Sequence, residues 1–275
     1  MPELPEVETI MKELKSLVEG KTLQNIKIFD ARCLNKACKE LTTTLKNRKI
    51  IRVSRRGKFL CFSFTDGSHL TTHLGMTGKL LRQLEKKDKK HLKATLVFRE
   101  NFVLYFVDPR VFGRMRIWSK EEALLPNLGP EPLDPQRVFK VLKSLKTTRP
   151  IKTVLLDQQV LAGIGNIYAD EALFLARIHP QSSFLEIKAA ALRRLSQELP
   201  RLLKQAIKNR GTTISDYQTP DAERGDHQHF LKVYGQENLP CYRCGTRISR
   251  IIVNGRSSHF CPLCQEQSTS RTFQK

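Results

Sequence analysis

The chain has 275 residues, enough for one large domain or two ordinary ones, and 40% of them are hydrophobic, which is enough for a packed core. Its 48 Lys and Arg residues outnumber its 27 Asp and Glu residues, so the net charge is +21. A surplus of that size indicates a polyanionic partner, and nucleic acid comes first because phosphate binding releases counterions. A protein kept soluble by charge alone is the alternative. No stretch is apolar enough for a membrane span and the N-terminus is not a signal peptide, so we expect a soluble, cytoplasmic protein.

The first predicted element is a helix. Pro5 suits its first turn, apolar residues recur at helical spacing from Val7 to Val18, and Gly20 ends it. From about residue 22 to 118 short apolar runs alternate with turn signals, which predicts a β-sandwich or barrel. The predicted strands are Leu23–Phe29, Ile50–Val53, Phe59–Phe64, Leu70–Leu74, Lys79–Arg82, Ala94–Phe98, Val103–Val107 and Met115–Trp118. Residues 86–93 are predicted to form a charged loop.

A proline-rich segment, Pro126–Pro135, separates this strand pattern from a helical one and is predicted to be a linker. Helices are predicted over Gln136–Leu145, Ile151–Asp157, Asn166–Ala176 and Leu185–Asn209. Residues 217–229 are polar and aperiodic, which is typical of a mobile loop. We therefore predict three domains, 1–130, 131–230 and 231–275.

Four cysteines near the C-terminus form two C-x2-C pairs separated by sixteen residues, and they are Cys241, Cys244, Cys261 and Cys264. Two such turns complete a tetrahedral zinc site. Because cysteine fills every position, no coordination site stays open for water, and we predict one structural Zn²⁺. Free or redox-active thiols are the alternative. The other cysteines are scattered and the total of seven is odd, which argues against a disulfide framework.

Three glycine-containing segments carry candidate DNA contacts. In residues 163–168 (GIGNIY) two glycines precede a predicted helix, an arrangement that exposes backbone N–H groups to phosphate, although an ordinary interhelical turn has the same pattern. In residues 73–78 (HLGMTG) Met76 is either a base-unstacking wedge or a core residue. In residues 108–113 (DPRVFG) Arg110 and Phe112 either fill the gap left by an extruded base or belong to the core.

The N-terminus carries a candidate nucleophile. Aminopeptidases remove an initiator Met before Pro, so Pro2 becomes a terminal secondary amine. Such an amine condenses with a sugar aldehyde equivalent to a charged iminium ion, which is an electron sink for β-elimination. The α-amino group titrates closer to neutrality than Lys, and Glu3 stands beside it to transfer protons. An inert Pro-Glu pair is the alternative.

Taken together, these segments resemble the formamidopyrimidine-DNA glycosylases of the Fpg/Nei superfamily. The resemblance extends to about residue 266 and is carried by MPELPEVET (1–9), HLGMTG (73–78), DPRVFG (108–113), LGPEPL (128–133), GIGNIYADE (163–171) and the cysteine module. It implies an α+β fold, in which an N-terminal β-sandwich flanked by helices precedes a helical helix–two-turn–helix domain and a C-terminal zinc-finger β-hairpin. It also implies a monomer that binds damaged double-stranded DNA in the cleft between the domains, with residues 217–229 as a lesion-capping loop.

The resemblance further implies roles for single residues. Pro2 would attack C1′ of the damaged nucleotide and Glu3 would protonate the sugar ring oxygen. Lys58 would assist base release and elimination, and Arg256 would grip phosphate and take part in δ-elimination. The remaining implied DNA contacts are Met76, His91, Arg110, Phe112, Arg149 and Asn166, with Arg110 reading the opposite cytosine.

The sequence departs from the family pattern at a few positions. Lys93 stands where a histidine is common, Val111 where a second arginine is frequent, and Asp226 and His227 where aromatic residues are often found. We expect a bifunctional glycosylase and abasic-site lyase that acts on oxidised purines, namely 8-oxoguanine and formamidopyrimidines. A Nei-like glycosylase for oxidised pyrimidines and a non-catalytic zinc protein that binds nucleic acid are the alternatives.

Overall fold

The computed structural model describes residues 1–34, 43–119, 125, 127–214 and 217–266. It divides into two compact units: the first comprises Met1–Pro126 and Ile207–Gln228, and the second comprises Asn127–Ala206 and His229–Lys275. Pro126, at the start of the predicted linker, lies outside the described residues. Residues 207–228 thus pack with the N-terminal part of the chain, whereas the three domain boundaries remain a prediction.

An antiparallel sheet dominates the first unit. The described strands are β1 (Thr22–Ile28), β2 (Arg48–Arg56), β3 (Phe59–Phe64), β4 (His69–His73), β5 (Lys79–Leu81), β6 (Leu92–Phe98), β7 (Phe102–Val107) and β8 (Arg114–Trp118). They are paired in the order β5-β7-β6-β1-β2-β3-β4-β8. β1 and β2 share only the pairs Thr22↔Lys49 and Leu23↔Arg48, so the sheet folds there into two halves around one buried core. The predicted sandwich is confirmed.

Helix α1 (Leu4–Val18) begins at a capping box, in which the Glu3 side chain accepts from the backbone of residue 6 while the Glu6 side chain accepts from the backbone of residue 3. Its apolar face, which includes Val7, Ile10 and Leu14, is buried in the core of the sandwich. The cap therefore fixes where the helix starts, and with it the position of residues 2 and 3.

The second unit contains α2 (Pro135–Ser144), α3 (Ile151–Leu156), α4 (Asn166–Ala176), α5 (Ala189–Lys208) as far as Ala206, and a hairpin of β9 (Ser249–Val253) and β10 (Arg256–Phe260). The helix predicted from Leu185 begins later because Phe184–Glu186 forms a 3-10 turn, whose period cannot be told from an α-helix over three residues. A 3-10 turn at Lys89–His91 likewise interrupts the predicted charged loop. Within the described ranges, no helix is long and apolar enough to cross a membrane.

Candidate active site and nucleic-acid interface

The N-terminal residues are buried at the start of α1. Pro2 is buried and Glu3 is 2% exposed. The Glu6 carboxylate accepts the backbone N–H of Glu3 at 2.8 Å and that of Thr212 at 2.7 Å. Gly211 has φ +80°, and a Cβ there would lie 2.8 Å from Glu6 Oε1, so only glycine fits. Glu6 therefore holds the backbone of the predicted nucleophilic segment in one conformation.

Lys58 lies in the tight turn between β2 and β3 and is 7% exposed. The preceding Gly57 has φ +58°, which glycine adopts without strain. Arg55 donates to Glu8 Oε2 on α1 at 2.8 Å and to the Gly57 carbonyl at 3.0 Å. This double contact holds the turn that bears Lys58 against the N-terminal half of α1, the helix that begins after Pro2 and Glu3.

His73, at the end of β4, has its pKa lowered to about 4 by burial and by the positive charges of Lys58 and Arg114. Its Nδ1 accepts the Gly75 N–H at 3.1 Å, so the neutral ring carries its proton on Nε2. Burial, together with the positive charges of Lys58 and Arg114, thus keeps the His73 ring neutral near pH 7.

The side chains predicted to fill the gap of an extruded base are exposed in the first unit. Met76 is 41% exposed, Phe112 is 48% exposed and Arg110 is exposed, so the alternative that these are core residues is wrong. The Arg110 guanidinium lies 4.8 Å from the centroid of the Phe112 ring, a cation–π contact. His91 is joined to the same region because its carbonyl accepts the Asp108 N–H at 2.9 Å.

In the second unit, Asn166 is the first residue of α4 and Arg256 is the first residue of β10. The Asn166 side-chain amide donates to the Ser257 carbonyl at 3.0 Å, which ties the helix start to the residue after Arg256. Gln158 braces the glycine turn before α4, since it donates to the Ile164 carbonyl and accepts the Gly163 N–H.

Arg149 has a different environment. Its guanidinium donates to Asp157 Oδ2 at 2.9 Å, so a phosphate would have to compete with that carboxylate. The ion pair is partly exposed, and such pairs are weak. The structure therefore bonds the Asn166 side chain to the backbone of Ser257, the residue after Arg256, whereas Arg149 pairs with Asp157.

A buried ion pair joins these elements, and the sequence did not predict it. Lys152 on α3 and Asp170 on α4 are both fully buried, with Nζ 2.6 Å from Oδ1. Lys152 also donates to the Ser257 carbonyl at 2.5 Å and to the Ser258 hydroxyl at 2.8 Å. Asp170 accepts the His259 N–H at 2.9 Å. The pair thus fixes β10, and Arg256 at its start, against the two helices.

The four predicted zinc ligands converge. Their sulfur atoms lie within 4.8 Å of one another, with Cys244 Sγ 3.5 Å from Cys261 Sγ and 3.5 Å from Cys264 Sγ. A tetrahedral ion with Zn–S bonds of about 2.3 Å requires sulfur–sulfur distances of about 3.8 Å, so the cluster fits zinc. The Cys264 N–H points at Cys261 Sγ at 3.4 Å. Burial raises the pKa of the Cys264 thiol to about 12, and a divalent cation is what allows four adjoining sulfurs to ionise together.

Comparison with known proteins shows which family the chain belongs to. Residues 1–115 match the formamidopyrimidine-DNA glycosylase N-terminal domain, residues 128–218 match its H2TH domain, and residues 238–267 match the zinc finger found in FPG and IleRS. A formamidopyrimidine-DNA glycosylase of Thermus thermophilus is 45% identical over 96% of this chain and 98% of its own length. The chain belongs to the formamidopyrimidine-DNA glycosylase family.

Two solved structures of this family have the same fold. The MutM (Fpg) protein of Thermus thermophilus has a TM-score of 0.87 at 41% identity, covering 97% of this chain and 99% of that chain. A Lactococcus lactis Fpg mutant, solved in complex with a Fapy-dG containing DNA, has a TM-score of 0.88 at 36% identity, covering 97% and 100%. The family model of the finger and the four converging cysteines together confirm the predicted structural zinc.

Proposed function

We propose that the protein is a bifunctional DNA glycosylase and abasic-site lyase that excises oxidised purines from duplex DNA. The observation that carries the proposal is the arrangement at the N-terminus. Pro2 and Glu3 lie at a start of α1 that Glu6 fixes from two sides, and Arg55 holds the turn of Lys58 against the same helix. Membership of the formamidopyrimidine-DNA glycosylase family supports the substrate class, because oxidised purines and a lyase step are typical of that family.

The chemistry follows from a terminal secondary amine. After removal of Met1, the Pro2 nitrogen attacks C1′ of the damaged nucleotide, the bond from C1′ to the base breaks, and the base leaves with the electron pair. Glu3 donates a proton to the sugar ring oxygen, so the ring opens and C1′ becomes an iminium carbon. Loss of a C2′ proton then expels the 3′ phosphate, and a second elimination expels the 5′ phosphate.

Lys58 is proposed to hold a phosphate beside the reacting sugar and to assist base release. The positive charges that Lys58 and Arg114 both place near the His73 ring support that role. A positive potential at a turn beside the N-terminus attracts the phosphates that flank a damaged nucleotide. Arg256 is proposed to grip the lesion phosphate and to take part in the second elimination.

The other predicted DNA contacts have complementary tasks. Met76, Arg110 and Phe112 fill the space of the flipped base, with Arg110 directed at the opposite cytosine. Asn166 and, more weakly, Arg149 bind backbone phosphate, and His91 contacts DNA. Residues 217–229 form a loop over the lesion, and its anchoring to the first unit supports a defined position, since Arg82 pairs with Asp221 at 2.8 Å and Lys79 donates to Gln218 at 2.9 Å.

Zinc, when bound by Cys241, Cys244, Cys261 and Cys264, supplies a structural cross-link that holds the β9–β10 hairpin and Arg256 in place. We propose that the enzyme works as a monomer in the cytoplasm. The buried thiols of Cys33 and Cys61, together with a zinc site that needs reduced sulfur, support a reducing compartment.

The experiment that tests the proposed function compares defined duplexes. Excision of 8-oxoguanine opposite cytosine is measured beside excision of thymine glycol, and each reaction is repeated with sodium borohydride to trap the iminium adduct. We expect faster release of 8-oxoguanine and a covalent adduct with unchanged protein, and loss of most adduct with Pro2→Gly. Faster release of thymine glycol would overturn the substrate class, and no adduct with abasic or 8-oxoguanine duplex would overturn the enzymatic function.

A further inference from the structure

One buried carboxylate joins the two loops that carry the proposed gap-filling side chains. Asp108 is fully buried. Its Oδ1 accepts the Thr77 hydroxyl at 2.5 Å and the Arg110 N–H at 3.2 Å, and its Oδ2 accepts the Gly113 N–H at 2.7 Å. The carboxylate thus binds the residue after Met76 in one loop and the residues Arg110 and Gly113 in the other. Hydrogen bonds to a buried charged acceptor are among the stronger ones in proteins.

The two loops also touch through their backbones. Gly75 has φ +62°, and a Cβ there would lie 2.6 Å from the Phe112 carbonyl carbon and 2.7 Å from the Gly113 nitrogen. At Gly113 a Cβ would lie 2.5 Å from the Phe106 ring. No side chain fits at Gly75 without a shift of the two loops, or at Gly113 without a shift of the Phe106 ring. Met76 and Phe112 therefore project from two segments in direct contact.

Val111 lies between the residues that Asp108 binds. It has φ +55°, a left-handed conformation that is unfavourable for a β-branched side chain. Asp108 binds the N–H of Arg110 on one side of Val111 and that of Gly113 on the other. A strained residue persists where its surroundings over-determine it, and here the hydrogen bonds of Asp108 do so.

We propose that Asp108 is a positioning residue that assembles Met76, Arg110 and Phe112 into one rigid group before DNA binds, and that it thereby sets the discrimination between bases opposite the lesion. This inference rests on the proposed function of those three side chains. Fixing a loop costs conformational entropy. Because both loops are already ordered in the folded protein, DNA binding does not bear that cost. Because the loop is held at residues 110 and 113, the Arg110 guanidinium above the Phe112 ring is in a defined position when it contacts the opposite base.

The test uses a matched pair of variants at Thr77, whose hydroxyl donates to Asp108 and also accepts the Arg110 N–H at 3.3 Å. Thr77→Val keeps the side-chain shape and removes both bonds, whereas Thr77→Ser keeps the hydroxyl. Asp108→Asn is the third variant. The readouts are single-turnover excision of 8-oxoguanine opposite cytosine and opposite adenine, and borohydride trapping on single-stranded abasic DNA, which has no opposite base.

We expect Thr77→Val and Asp108→Asn to slow excision opposite cytosine by on the order of tenfold, as the loss of a hydrogen bond to a charged group predicts. The ratio of the excision rate opposite cytosine to the excision rate opposite adenine should fall toward one in these two variants. Their trapping on single-stranded DNA should stay within about twofold of that of the unchanged protein. Thr77→Ser should behave like the unchanged protein in every assay. Amide hydrogen exchange across residues 110–113 should accelerate in Thr77→Val and Asp108→Asn only.

Unchanged discrimination in folded Thr77→Val and Asp108→Asn would overturn the proposal, and so would an equal loss of trapping on single-stranded DNA, which would show a general structural defect. Failure of the proposed function would be recognised separately, because the unchanged protein would then form no adduct. The hydrogen-exchange rates still test the proposal in that case, because exchange across residues 110–113 that is no faster in Asp108→Asn than in the unchanged protein would show that Asp108 does not hold the loops.

Discussion

The buried ion pair between Lys152 and Asp170 supports a quantitative prediction about the second unit. Lys152→Met leaves the fully buried Asp170 carboxylate without its cation 2.6 Å away. Removing one partner of a buried pair costs about 3–5 kcal/mol, because the remaining charge has lost its counter-ion, and here the carboxylate keeps the backbone N–H and the ring Nδ1 of His259 as neighbours. Lys152 also loses its bonds to the Ser257 carbonyl and the Ser258 hydroxyl, so we expect a loss near the upper end of that range.

A double variant separates the stranded charge from the lost contacts. Lys152→Met combined with Asp170→Asn removes the charge but keeps an oxygen that accepts the His259 N–H. We expect it to be more stable than Lys152→Met alone by about 1–3 kcal/mol, since a neutral amide is cheaper to bury than an unpaired carboxylate. Lys204→Met, at an exposed position of α5, is the matched control and should change stability by less than about 0.5 kcal/mol.

The assay is urea unfolding with zinc present, followed by far-ultraviolet circular dichroism, with the melting temperature measured beside it. The melting temperature changes by about 2–4 °C for each kcal/mol of stability, so we expect that of Lys152→Met to fall by roughly 10 °C or more. A Lys152→Met protein within about 1 kcal/mol of the unchanged protein would refute the reasoning. A double variant less stable than both single variants would refute the role of the stranded charge.

Further predictions concern the loops, the pH dependence and the finger. Val111→Asn should raise the free energy of unfolding by about 0.5–1 kcal/mol, because asparagine tolerates a left-handed φ, and a lower melting temperature would contradict the strain. The pKa of His73 falls from 6.5 in the unfolded chain to about 4, so its contribution to stability is present above pH 6.5 and is lost as pH falls to 4. His73→Gln should weaken the dependence of the urea midpoint on pH over that interval, and an unaltered pH dependence would count against the lowered pKa of His73. Cys244→Ser should lower zinc content and abolish duplex binding while trapping on single-stranded abasic DNA persists, and unchanged affinity would show that the finger does not hold DNA.

Local features could be predicted from the sequence. The cysteine spacing predicts the zinc cluster because each pair closes its own turn, and alternating apolar residues predict the strands of the sandwich because burial repeats along them. Short elements were harder to predict. The helix predicted from Leu185 starts at Ala189, since a 3-10 turn has too few residues to show its period.

Contacts between residues distant along the chain could not be predicted. Asp108 and Thr77 are 31 positions apart, and Lys152 and Ser258 are 106 apart, so no periodicity connects them. One signal was available at Asp170. It lies in α4, whose other residues are mostly apolar and buried, and a charge in such a helix requires a buried partner. The sequence does not say that this partner is Lys152.

The most direct test of the central claim is peptide mapping of the borohydride-trapped adduct. Protein is reduced in the presence of abasic duplex DNA, digested with nuclease and protease, and analysed by tandem mass spectrometry. We predict that the sugar remnant is attached to the nitrogen of Pro2 in a peptide that lacks Met1. A remnant on Lys58 or any other lysine, with the N-terminal peptide unmodified, would contradict the claim that the terminal proline is the nucleophile.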